Sequence, residues 1–267
     1  MKRLKIILAA VFLTMFALGV LSVKTVHSAG VKQALLISSD DQRILDASLQ
    51  IAIYSEDGGY HDQGLGTAVK VSGEFLIVTH NHWTFRNFLE KIQKAQILDA
   101  RNELLLELTR EEFLSLIRFS NPGTLILQAP AGMNITPAEL GDFRQAQIGD
   151  LVTAVHQKTA DPSQLDLLLA EVHAISTYRG CDVYTLVAMN GEEIVQGDSG
   201  GGIWLNGQLL ANSWGIYNEK GSLFQEPTQV TVAAQFPQSF LWVIEDSQTS
   251  LSTREGVFLM ELEKDEP

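Results

Sequence analysis

The sequence predicts an all-β fold of two six-stranded antiparallel β-barrels with a short C-terminal helix. Three observations predict it. From Ser48 onward, short apolar runs alternate with Gly, Asn or Asp, the texture of many short strands. Twelve such runs fall into two groups of six on either side of residues 130–147. Six strands per half suit small closed barrels, which leave no unpaired sheet edge.

In chain order, Lys2, Arg3 and Lys5 precede an uncharged apolar run from Ile6 to Leu21, and the small residues "SAG" follow at 28–30. Residues 1–29 therefore read as a signal peptide cleaved after Ser28 or Ala29, or as an uncleaved N-terminal membrane anchor. Both readings place the remainder outside the cytoplasm. Residues 30–47, with "SSDDQR", read as an N-terminal extension. The first barrel is expected over 48–129, with strands at 48–54, 66–71, 74–80, 94–100, 103–108 and 123–129. Phe85, Phe88, Leu89 and Ile92 stand at helical spacing and predict a helix over 83–95; "REEFLSLIRF" predicts another over 110–119.

Residues 130–147 hold Pro130 and Pro137 and no strand-like run, which marks an interbarrel linker. The second barrel is expected over 148–236, with strands at 150–157, 166–177, 182–188, 201–205, 208–214 and 229–236. Pro237 suits the first turn of a closing helix over 237–247, and an acidic tail completes 237–267.

The chain carries 19 basic and 32 acidic residues, a formal charge of −13. Four of the basic residues lie in 1–29, so the part after them holds 15 basic residues against the same 32 acids, a charge of −17. That balance argues against nucleic acid or anionic lipid as a partner, because binding a polyanion needs a cationic face. Any membrane contact would run through the N-terminal segment. Cys181 is the one cysteine, which excludes an intrachain disulfide and a cysteine-rich metal site. No cofactor and no metal are expected. Stability must come from burial, and the 238 residues after position 29 are ample for a large core.

The chemistry concentrates in two places. "VQGDSGGGIW" at 195–204 sets Ser199 in a glycine-rich turn, where glycines admit backbone angles that a Cβ disfavours. Such a turn can aim the N–H groups of Gly197 and Ser199 at one point, an arrangement that stabilises an oxyanion. "FLIVTHNHW" ends a strand with His80 and His82. A serine hydroxyl is a weak nucleophile and needs a base in reach, and histidine suits that task near neutral pH.

Taken together, these motifs resemble the chymotrypsin/trypsin-like serine protease family. "GLGTAVKVSGEFLIVTHNHW" is similar to the family's Gly-x-Gly, strand, Thr-x-x-His pattern, with Thr79 and His82 in register. "GDSGG" at 197–201 and "SWG" at 213–215 match two more of its motifs, and the resemblance covers roughly 48–246. It implies acyl transfer through Ser199, with His82 as general base and an oxyanion hole from the amides of Gly197 and Ser199. It also implies that Ser213, Trp214 and Gly215 pair with an extended peptide substrate. Glu193, six residues before Ser199, stands where trypsin-like members grip a basic side chain, although "NGEEI" also fits a solvated hairpin.

One departure stands out. The family's orienting aspartate heads a strand that here reads "FSNPGTLILQA", which puts Pro122 or Gly123 at the acid's place. Asn121 is the nearest polar residue. Asp99 is an acid of the first barrel that also fits a hairpin turn. No segment like Ile-Val-Gly-Gly follows Arg43, so Asp198 is expected to find an internal donor rather than a new N-terminus. The sequence thus supports an exported serine endopeptidase with a non-standard third group. A catalytically impaired relative that binds extended peptides in the same cleft is the alternative.

Overall fold

The computed structural model describes residues 38–55, 60–84, 90–120, 123–178, 181–189, 194–219 and 228–235. The expected leader at 1–29, the closing helix at 237–247, Asn121 and Glu193 lie outside the described residues. No helix among the described residues is long and apolar enough to cross a membrane.

Two seven-stranded sheets make up the body. The first contains β1 (Ser48–Ser55), β2 (Tyr60–Val71), β3 (Glu74–Thr79), β4 (Ile92–Asp99), β5 (Leu104–Thr109), β6 (Ile117–Ser120) and β7 (Leu125–Gln128), in the order β5-β4-β1-β2-β3-β7-β6. Side chains two apart on one strand share a face. Leu49, Ile51 and Ile53 of β1 therefore meet Ile97, Ile77, Leu125 and Leu127 in one buried cluster. A six-residue helix, α2 (Arg110–Ser115), spans the gap between the edge strands β5 and β6 and drives Phe113 into this core. Thr109 caps it, its hydroxyl accepting from the Glu112 amide while the Glu112 carboxylate accepts from the Thr109 amide.

The second sheet contains β8 (Glu139–Leu140), β9 (Leu151–Lys158), β10 (Asp161–Tyr178), β11 (Cys181–Ala188), β12 (Gly202–Leu205), β13 (Gln208–Glu219) and β14 (Thr228–Gln235). Its order is β12-β9-β10-β11-β14-β13-β8, and β12 also pairs with β13, so six strands close into a ring. The first sheet instead curls around its core and ends on α2. Two barrels of antiparallel strands were expected, and the difference between them is that only the second closes on six.

A third cluster joins the two. Leu65, Val69, Val71, Leu76 and Val78 of β2 and β3 face Val155, Trp204 and Leu209 of the second barrel. Strand β3 thus buries both faces, Ile77 inward and its neighbours toward the partner barrel, which explains its unbroken apolar run.

Local differences from the sequence reading have physical causes. Ser39–Ala47, expected within an N-terminal extension, forms helix α1, with Ile44 and Ala47 buried on the interbarrel cluster. The helix expected over 83–95 stops short of Ile92, which pairs with β1 as strand; Asn81–Thr84 forms a 3-10 turn, and 85–89 lie outside the described residues. The helix expected to reach 119 ends at Ser115, because Ile117 and Phe119 pair with Leu127 and Ile126. Residues 130–147, expected as a linker, are tied to both barrels. The Ala138 amide donates to Ala68, β8 pairs with β13, and the Phe143 ring stacks on Tyr184 at 3.8 Å.

Candidate active site

β3 ends at Thr79, whose hydroxyl donates to the Leu65 carbonyl at 2.5 Å and ties the strand end back onto β2. His80 follows, buried, and His82 sits in the 3-10 turn just beyond. The two rings stack at 4.9 Å between centroids, and their Nδ1 atoms are 2.7 Å apart. The His82 backbone N–H also points at His80 Nδ1, 3.2 Å away. On its far side, His82 Nε2 lies 3.0 Å from an oxygen of Asp62 on β2.

Asp62 was not identified from the sequence. An acid two residues before Gly64 becomes meaningful only through strand register. Gly66 pairs with Thr79, so the antiparallel ladder carried onward sets Asp62 across from the turn that holds His82. Burial alone would raise its carboxyl. The hydrogen bond and charge of His82, with the Gln63 amide, outweigh burial and hold it below the usual carboxylate value. Burial, then the charge of His82, pushes the His80 ring down to about 3, against the opposing pull of Asp62. His80 is a neutral imidazole at any ordinary pH.

The serine turn packs directly against this group. The Leu65 amide donates to the Ser199 carbonyl at 2.8 Å. A side chain at Gly64 would collide with both the Trp83 ring and the Ser199 carbonyl, so those two groups flank the same point of β2. Gly200 has φ +93°, and a Cβ there would strike the Leu65 carbonyl, the Thr79 hydroxyl and the His80 amide. Folding therefore brings Ser199 and the two histidines to one junction between the barrels. Among the described residues, however, the Ser199 hydroxyl makes no hydrogen bond, and His82 Nε2 meets Asp62 instead.

Backbone bonds alternate through the turn. The amides of Asp198, Gly200 and Gly201 donate to Val195, Ser213 and Asp198. Those of Gly197 and Ser199 donate to nothing among the described residues. Gly197 has φ +106°, a left-handed angle that favours glycine. Asp198 is fully buried, and its carboxylate accepts from the backbone amides of Gln157 at 2.7 Å and Val195 at 2.8 Å. The expected internal donor is thus two amides. Burial raises this carboxyl, while those amides and nearby His156 pull it the other way.

Ser213 is buried and its hydroxyl donates to the Asp198 carbonyl at 2.5 Å, which locks β13 to the turn. Trp214 sits at a register break between Ser213 and Gly215, and Gly215 is exposed beside it. These three residues remain together on the strand that borders the junction.

Of the two sequence candidates for the group orienting His82, the structure describes one, and it is engaged elsewhere. Asp99 is a turn residue, its carboxylate accepting from the Arg101 and Glu103 amides at 2.8 Å each. Asn121 lies outside the described residues. Gly123, two residues before the Thr79–Leu125 pair, brings only backbone, and its carbonyl accepts from Asn212 at 2.9 Å. Thr124 donates to the other end of the same Asn212 amide at 3.0 Å.

Comparison with solved structures decides the architecture. HtrA-type protease AlgW with tripeptide is 17% identical and superposes at a TM-score of 0.53, covering 78% of this chain and 61% of that one. The active form of Rv3671c protease from M. tuberculosis is 16% identical at a TM-score of 0.50, over 76% of this chain and 82% of that one. The fold is the chymotrypsin-like double barrel. Tobacco etch virus protease matches too, 11% identical at a TM-score of 0.51, over 77% of this chain and 80% of its own. The present chain spans about three fifths of the HtrA-type structure, 61%. No family model matches the chain, and no curated protein matches it. In a double barrel of this kind, the junction between barrels is where Ser199, His80 and His82 now stand.

Proposed function

We propose that the chain is an exported serine endopeptidase that cleaves peptide bonds by acyl transfer through Ser199, with His82 as general base. One observation carries the reading: the Ser199 turn, whose Gly197 and Ser199 amides donate to nothing among the described residues, docks on the end of β3 just before the turn that holds His82. In the first step Ser199 Oγ attacks the scissile carbonyl while His82 Nε2 takes the hydroxyl proton. The oxyanion accepts hydrogen bonds from the two amides, a contribution of about 3–4 kcal/mol for a well-placed donor. His82 returns the proton to the departing amine, and water then hydrolyses the acyl-enzyme by the same steps in reverse. Ser213, Trp214 and Gly215 offer backbone to an extended substrate. Glu193 supports a preference for a basic side chain ahead of the cut bond, the trypsin-like element of the proposal.

A second reading has its own support. Asp62 sits at the nitrogen the base must use, and Gly123 supplies no carboxylate. Both features suit a catalytically impaired relative that binds extended peptides in the same cleft. Labelling with a fluorophosphonate separates the two. The enzyme labels, and Ser199→Ala and His82→Ala each abolish the signal. A well-folded wild-type protein that never labels belongs to the binding class.

A further inference from the structure

The proposed reaction leaves one role unassigned, that of the group holding the His82 ring while its Nε2 acts as base. We propose that His80 is that positioning residue, its Nδ1 lone pair accepting the Nδ1–H of His82. The inference rests on the reading of Ser199 and His82 given above.

Two nitrogens 2.7 Å apart must share one hydrogen, and either ring could own it. The backbone decides. The N–H of His82 also points at His80 Nδ1, and an N–H can meet only a lone pair there. Nδ1 of His80 is therefore the bare nitrogen, and the shared hydrogen belongs to His82. The burial that keeps His80 neutral keeps this lone pair available. Its own proton then sits on Nε2, a buried atom with no hydrogen-bond partner among the described residues.

Asp62 completes the resting arrangement. A carboxylate only accepts, so it draws a hydrogen onto His82 Nε2 across 3.0 Å. At rest the His82 ring lies between a carboxylate at Nε2 and a neutral imidazole at Nδ1. The side chains of His82 and Asp62 are 18% and 24% exposed, within reach of an incoming chain. Once the carboxylate is displaced and the Nε2 proton released, the bond to His80 still fixes the Nδ1–H tautomer. Nε2 is then the free lone pair that Ser199 requires. Asp99 is spent in its own turn and Gly123 has no side chain, so no acid from the described family position competes for Nδ1.

Two measurements test this. Nitrogen-15 NMR of the histidine rings in the wild-type protein is expected to show His82 protonated at Nδ1 and His80 bare at Nδ1. A His82 with bare Nδ1 overturns the proposal. Fluorophosphonate labelling rates read the consequence. His80→Phe keeps the volume and removes the acceptor, and should slow labelling at least about 100-fold with half-saturation unchanged. His80→Asn sets an amide oxygen near the old Nδ1 and should stay within about tenfold of wild type. Wild-type labelling rates in His80→Phe overturn the proposal. If the wild type itself never labels, the hydrolase reading fails while the ring spectrum still decides the place of His80.

Discussion

The carbonyl oxygen of Ser199 accepts the Leu65 amide at 2.8 Å, binding the serine turn of one barrel to the strand of the other that carries Asp62. Leu65 in turn receives the Thr79 hydroxyl on its own carbonyl. One β2 residue therefore sets both the serine turn and the strand end that launches the histidines. Gly200 makes this approach possible.

Gly200→Ala is accordingly expected to be severe. The added methyl would meet the Leu65 carbonyl and the His80 amide, both backbone, at a φ of +93°. A loss above about 3 kcal/mol, or no folded protein, should appear in urea denaturation. Gly207→Ala is the control. It also has positive φ, +74°, but open space around it, and should lose only about 1 kcal/mol. Equal losses at the two positions would mean the barrels are not clamped at Gly200.

The Asn212 amide bridges Gly123 and Thr124 where the barrels meet, and all three bonding groups lie inside. Asn212→Ala removes both bonds and opens a small void, with an expected loss of about 2–3 kcal/mol. Thr124→Val removes one bond at nearly constant volume and should lose about 1 kcal/mol. Thermal melts of the two variants measure the ratio. A larger loss for Thr124→Val would show that the pair does not organise this junction.

Much of this was legible in the sequence because its signals are local. Short apolar runs fixed the strands, and Thr79, His82 and "GDSGG" needed only neighbours in the chain to be read. Asp62 and the role of His80 needed distant partners. Asp62 becomes a contact of His82 through the β2–β3 register and the 3-10 turn, neither of which a residue pattern displays. Asp99 misleads for the converse reason: an acid at a plausible separation, wholly spent on two amides of its own turn. Helix α1 escaped notice because only Ile44 and Ala47 of its nine residues are buried. Helical expectations overran at 92 and 117 because pairing with β1 and β7 outweighs local helical spacing.

Asp62→Ala should raise the rate of serine labelling. In the resting arrangement the carboxylate lies at His82 Nε2, the nitrogen that takes the serine proton in the proposed reaction. A partly exposed pair of this kind is worth about 1 kcal/mol, so freeing Nε2 should speed labelling roughly fivefold. Asp62→Asn, which can still accept one hydrogen bond, should fall between. A slower Asp62→Ala would instead make the carboxylate a partner in holding the productive ring.

His80 also sets an acid limb of stability. Its ring is held to about 3 against an ordinary 6.5, so between those values the unfolded chain takes up a proton that the folded one refuses. The unfolded state then binds more protons, and stability falls as pH is lowered, by up to about 1.4 kcal/mol per pH unit. Above about 6.5 the effect is fully absent from the slope. Asp62, lowered, loses its own contribution only as pH drops through the carboxylate range below 3.8. Asp198, raised, acts with opposite sign just above 3.8, since there the folded state holds the proton first. His80 thus contributes through the upper part of the window, and comparison with His80→Phe separates its slope from that of Asp198. Urea melts at closely spaced pH values should show the slope in wild type and its loss in His80→Phe. An unchanged slope in that variant would place the buried, neutral imidazole elsewhere.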